Sequence, residues 1–215
     1  MENEVFKASV LVSSLFPKEK VDAAFFHGRA VWNKQGLGED VSGLFGLVSG
    51  LYHKKVVDYI AVTNTEGQGV DTSESQSAWP GKTVYINRLM LLGVPDNRIV
   101  LTNMPALHTR QENDAFLDLA KSRLWESGII VAHPHQLLRS ILGMVQSMDQ
   151  QRYWIKVYTA APLFTNWREP VNGNQGQELK PRMMHIENEI ERILKYQNLG
   201  LLASFEQFLD YAKNL

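Results

Sequence analysis

The sequence predicts an α/β fold of three layers, with a parallel sheet between helices, an added amino-terminal helical segment and further helices at the carboxyl end. Three observations predict it. From residue 56 onward, short β-branched runs alternate with segments of helical period. Each such run hands over to a helix through a short polar cluster. The chain of 215 residues is 44% hydrophobic, enough for one domain with a full core.

Residues 1–55 read as a helical segment packed on the core, and residues 56–215 as the α/β domain, in one compact unit. Pro17 suits a helix start, and Val21, Ala24, Phe25, Gly28 and Trp32 recur at helical spacing. A break at Gly36 and Gly38 follows. Asp40 then caps a second apolar segment through Leu44, Leu47, Val48 and Leu51.

The first strand spans residues 56–62, a β-branched run short enough to be buried on both faces. Residues 64–77 form a long polar loop, a kind of segment that is uncommon inside domains and often functional. A helix over 82–92 stops at Gly93 with Pro95 beyond. Residues 99–101 are the second strand. The next helix opens on Thr109 with Glu112 three residues on, a capping-box spacing. Its apolar stripe is Phe116, Leu119, Ala120 and Leu124, and Gly128 ends it.

Residues 129–132 form the third strand, followed by a helix over 136–148 carrying Leu138, Leu142 and Val145. Residues 153–160 form a fourth strand. Residues 162–181, with Asn172-Gly173-Asn174, read as a surface loop or flap. Two helices close the chain, one with Met183, Ile186, Ile190, Ile193 and Leu194 on one face, the other opening on Ser204 and Gln207. Strands alternating with helices imply right-handed crossovers and a Rossmann-like parallel sheet.

In such a sheet ligands bind outside the carboxyl ends of the strands, which focuses attention on three clusters. The first holds Asn64, Thr65 and Glu66. The second holds His108, Thr109, Arg110, Glu112 and Asn113. The third is His133-Pro134-His135, with Arg139 one turn later. A helix amino terminus at Thr109 attracts an anion, and Arg110 supplies a forked donor for phosphate or carboxylate. Arg139 shares a helix face with His135 and is either an anion clamp or the partner of Glu112 or Glu74. His135 is the candidate for proton transfer, since histidine titrates near neutrality. His133 lies on the same side of an extended segment.

Composition excludes several classes. Lys+Arg 22 against Asp+Glu 23 gives a formal charge of -1, without the basic field that nucleic-acid binding needs. With no cysteine there is no disulfide and no thiolate chemistry. No stretch approaches the roughly 20 apolar residues of a membrane span, and no signal-peptide pattern stands at the amino terminus. The chain therefore reads as soluble and cytoplasmic. Neither a nucleophile elbow nor a phosphate-binding P-loop is present, and residues 64–69 lack the three-glycine dinucleotide spacing.

Residues 56–148 resemble the YdcF/SanA/ElyC-like bacterial domain of unknown function. The resemblance rests on Ser73-Glu74, Gly93-Val94-Pro95, Thr109 with Glu112-Asn113, and His135 with Arg139. Asn64-Thr65-Glu66-Gly67 stands where that family has a Gly-Gly pair, and the Thr-to-Asn and His-to-Arg spacings are each one residue longer. The resemblance implies a Rossmann-like fold with a strand-end pocket and makes S-adenosylmethionine a candidate ligand, with no reaction established.

The leading expectation is thus a protein that binds a small anionic or nucleotide-like ligand. Asn64, Glu66, Glu74, Thr109, Arg110, Asn113, His133 and Arg139 would contact it and His135 would move any proton. Two alternatives stand beside it. One is a divalent-metal hydrolase or transferase using Glu66, Asp71, Glu74 and the histidines. The other is a non-enzymatic interaction module using residues 1–55 and 163–181.

Overall fold

The computed structural model describes residues 2–27, 32–33, 36–37, 39–66, 81–106, 108–163, 166–168, 170–173 and 177–215. In chain order the elements are α1 (Glu2–Ser14), β1 (Val21–Phe26), β2 (Trp32–Asn33), β3 (Gly36–Leu37), α2 (Glu39–His53), β4 (Val57–Val62), α3 (Lys82–Leu91) and β5 (Ile99–Leu101). They continue with α4 (Thr109–Arg123), β6 (Ser127–Val131), α5 (Pro134–Gln151), β7 (Lys156–Ala160), β8 (Pro170–Gly173), β9 (Gln177–Pro181), α6 (His185–Asn198) and α7 (Phe205–Ala212).

Five strands form one parallel sheet in the order β5-β4-β1-β6-β7. Numbered along the chain these strands run 3-2-1-4-5, so the order reverses between β1 and β6, and that switch point is where doubly wound folds bind ligands. The α/β, Rossmann-like architecture expected from the sequence is present. Helices cover both faces. Ile130 and Ala132 pack with α4, α5 and α7 on one side, while Ile129 and Val131 pack with α2 and α3 on the other. That alternation is the two-residue period of a strand buried on both faces.

The main correction concerns residues 21–26. The helical spacing of Val21, Ala24, Phe25, Gly28 and Trp32 predicted a helix, but residues 21–26 form β1, the middle strand of the sheet. A central strand is apolar throughout, so it carries no alternation to distinguish it from a short helix. Ala23, Ala24 and Phe25 are all fully buried. At the amino edge Asp22 Oδ2 accepts from the backbone N–H of Glu126 and Ser127, both 2.9 Å away, and from Ser127 Oγ at 2.8 Å. That carboxylate ties β1 to the start of β6.

Smaller corrections follow the same logic of packing over local signal. Asp40 lies inside α2 rather than capping it. Leu124, expected on the apolar stripe of α4, is the left-handed residue that ends the helix, and it is exposed. Gly128 does not end that helix; it lies in β6, where an added Cβ would sit 2.9 Å from Phe116 Cζ. The segment 162–181 contains the antiparallel pair β8–β9. Among the described residues no helix is long and apolar enough to cross a membrane.

Candidate functional site

The ladder extends past the strands at the carboxyl edge. His27 N–H donates to Val131 O (2.9 Å), Thr102 N–H to Val62 O (3.0 Å) and Ala132 N–H to Ala160 O (3.2 Å). The residues that follow β1, β4, β5 and β6 therefore lie along one edge, as the sequence predicted for β4, β5 and β6. The unexpected member is His27, which enters this edge through β1.

A cavity of about 370 Å³ opens there, lined among others by His27, His108, Thr109, Glu112, Arg139 and Arg192. Its far wall is Tyr196, Leu201 and Leu202, from α6 and the turn after it. His27 is 4% exposed, and its Nδ1 lies 3.0 Å from Glu112 Oε2. Its second ring nitrogen, Nε2, is buried without a hydrogen-bond partner among the described residues. Phe25 packs edge-on against the ring at 4.7 Å and holds its orientation.

Glu112 reaches His27 because α4 starts one residue earlier than the capping-box spacing predicted. The cap is His108, extended at φ -151 and ψ 160, whose Nδ1 accepts from Gln111 N–H at 3.4 Å. Thr109 is therefore already helical, and Glu112 falls one position too late to fold back on the cap. Its carboxylate points into the interior instead, at 6% exposure.

Thr109 Oγ1 accepts from Arg139 Nη1 at 2.9 Å, and Arg139 Nε sits 2.5 Å from Glu189 Oε2. Glu189 is 2% exposed and also takes Arg192 Nη1 at 2.9 Å. Among the described residues the partner of Arg139 is thus Glu189 of α6 rather than Glu112, and Glu74 lies outside them. Two guanidinium groups bracket one carboxylate, which leaves this wall cationic. Arg110 also lines the cavity, but its guanidinium turns back along α4. Nε meets Asp114 at 3.1 Å, Nη1 donates to Leu201 O at 3.1 Å, and Nη2 donates to Gln150 Oε1.

His133 and His135 stack, with ring centroids 5.7 Å apart. Burial, and then the charges of His133, Arg182, His185 and Arg139, push the His135 imidazole down to about 2. At neutral pH it is uncharged and has no second proton to give, which suits a neutral acceptor better than an acid. Asn113 is fully buried between α4 and α5, donating from Nδ2 to Ser140 O at 3.3 Å. Neither stacked histidine nor Asn113 is among the lining residues of the cavity.

Asn64 and Glu66 are drawn to a different point on the same edge. Lys82 Nζ donates to Asn64 Oδ1 at 2.8 Å and pairs with Glu66 Oε1 at 2.6 Å. Thr65 Oγ1 bonds both Ala106 O and Ala106 N–H at 2.9 Å. These contacts lock the turn after β4 to the start of α3 and to the loop after β5. Asp71, Ser73 and Glu74 lie outside the described residues. Among the described residues no group of three acidic or histidine side chains is placed to hold a metal ion.

A larger groove of about 930 Å³, lined by Trp125, Trp154 and Tyr211, lies at the other end of the sheet. Glu126 and Lys156 in its wall mark the amino ends of β6 and β7, the edge that parallel sheets do not use for ligands. The smaller cavity is therefore the candidate site. Sequence reading missed His27, Lys82, Glu189 and Arg192. Only His27 had a usable signal, a polar residue directly after the apolar run 21–26. No family model matches the chain, and no curated protein matches it significantly.

Proposed function

We propose that the protein binds a small anionic or nucleotide-like ligand in the cavity at the β1–β6 switch point. The observation that carries this reading is the cationic wall. Arg139 and Arg192 converge on Glu189, and among the described residues Arg139 Nη2 makes no hydrogen bond. The amino-terminal turn of α4 borders the same space and adds the positive end of a helix dipole. A forked guanidinium beside such a helix end favours phosphate or carboxylate. The volume falls within the range of small-molecule sites. The resemblance to the YdcF/SanA/ElyC-like domain supports the same edge and keeps S-adenosylmethionine among the ligands to try.

Titration calorimetry with inorganic phosphate, adenosine monophosphate and S-adenosylmethionine tests the reading. At least one should bind, and Leu201→Trp, which narrows the mouth and leaves the buried ion pairs intact, should weaken that binding at least about tenfold. If none of the three binds, or if Leu201→Trp leaves affinity unchanged, the cavity is not the ligand site.

A further inference from the structure

The cavity holds one polar atom that its cationic wall does not explain. His27 is 4% exposed, and its Nδ1 is committed to the Glu112 carboxylate at 3.0 Å, yet Nε2 is buried with no partner among the described residues. A buried polar atom left unpaired is costly, so its lack of a partner among the described residues points to one supplied by a ligand. The carboxylate fixes what that partner must be. Glu112 accepts, so Nδ1 carries the hydrogen, and the tautomer with that single hydrogen presents Nε2 as a lone pair. The missing partner is a donor.

We propose that the ligand of this cavity is a hydroxyl-bearing phosphate ester of nucleoside-monophosphate or sugar-phosphate type. Its phosphate sits against Arg139 and the start of α4, and a ligand hydroxyl donates to His27 Nε2. The inference rests on the anion-binding reading above and specifies it further. Glu112 is a positioning residue, which sets the tautomer of His27 without touching the ligand. The geometry also separates two recognition tasks within one cavity. The guanidinium wall reads charge, and the His27 acceptor reads a hydroxyl. Sites built to hydrogen-bond a hydroxyl reject analogues lacking it far more strongly than apolar pockets reject a missing methylene.

The test is calorimetry of adenosine monophosphate, its 2′,3′-dideoxy analogue and inorganic phosphate, on the wild type and on His27→Asn. Asparagine preserves a donor toward Glu112 while removing the Nε2 acceptor. Nitrogen-15 NMR of the wild type reads the tautomer of His27 directly. The wild type should bind adenosine monophosphate at least about tenfold tighter than the dideoxy analogue, and His27→Asn should abolish that preference. The ring should carry its hydrogen on Nδ1, and Glu112→Gln should redistribute it. Phosphate binding with equal affinity for the two nucleotides overturns the inference and leaves the anion site standing. So does a ring protonated on Nε2. Absence of phosphate binding removes the anion site itself, and this inference with it.

Discussion

Asn113 on α4 and Gly143 on α5 meet so closely that a Cβ built on Gly143 would lie 2.6 Å from Asn113 Nδ2. Asn113 is fully buried and donates from the same nitrogen to Ser140 O. The two helices that flank the cavity are thus held together where a side chain gives way to bare backbone. Gly143→Ala should force Asn113 aside and break that bond, costing about 1–3 kcal/mol in urea unfolding. Asn113→Ala in the same chain should recover part of the loss. Two additive effects would mean that the helices can part without strain.

Glu189 gives a second prediction. Its carboxylate is almost wholly buried and neutralised by Arg139 and Arg192. Arg139→Ala removes one of its cationic partners, and a buried charge stripped of a partner is expensive. The loss should be about 3 kcal/mol by chemical denaturation. Arg139→Ala combined with Glu189→Ala should cost less than the two single losses summed, since the buried carboxylate that the first change strands is gone. Full additivity would show that the pair is too well hydrated to couple.

The amino-acid pattern exposed this fold where local and tertiary preferences agree. β4, β5 and β6 are β-branched and bounded by turn residues, and the capping box at Ser204 and Gln207 forms as read, with both reciprocal bonds present. It misled where packing decides. The run 21–26 has alanines and phenylalanines at a spacing that fits a helix, and only its place between β4 and β6 makes it a strand. Missing β1 also hid His27, which lines the cavity. Glu189 and Arg192 sit on a helix whose sequence shows an ordinary charged face. Nothing local reveals that α6 turns part of that face toward Arg139, 50 residues earlier.

Tyr211 anchors α7 to the sheet through one hydroxyl. It accepts from Val157 N–H at 2.6 Å and donates to Ile155 O at 2.9 Å, and burial pushes its phenol well above the ordinary tyrosine range. Tyr211→Phe keeps the ring and strands both backbone groups at the start of β7. The expected cost is about 1–3 kcal/mol, with faster hydrogen exchange at the Val157 amide. Unchanged exchange at that amide would mean that water replaces the hydroxyl.

His135 makes stability depend on pH in a window set by its own shift. The free imidazole titrates at 6.5, whereas burial and its charged neighbours lower it to about 2 in the folded chain. Between those values the unfolded state takes up a proton that the folded state refuses, so falling pH favours unfolding. The contribution is whole above about pH 6.5 and shrinks by about 1.4 kcal/mol for each pH unit below it. His135→Gln removes this term. Urea midpoints for both chains at about pH 7.5 and about pH 5 should therefore show the wild type losing roughly 2 kcal/mol more than the variant. Carboxylates that titrate in the same range act on both chains alike and cancel from the difference. Parallel losses in the two chains would show that His135 takes its proton in the folded state, and that the stacked pair opens to water as the pH falls.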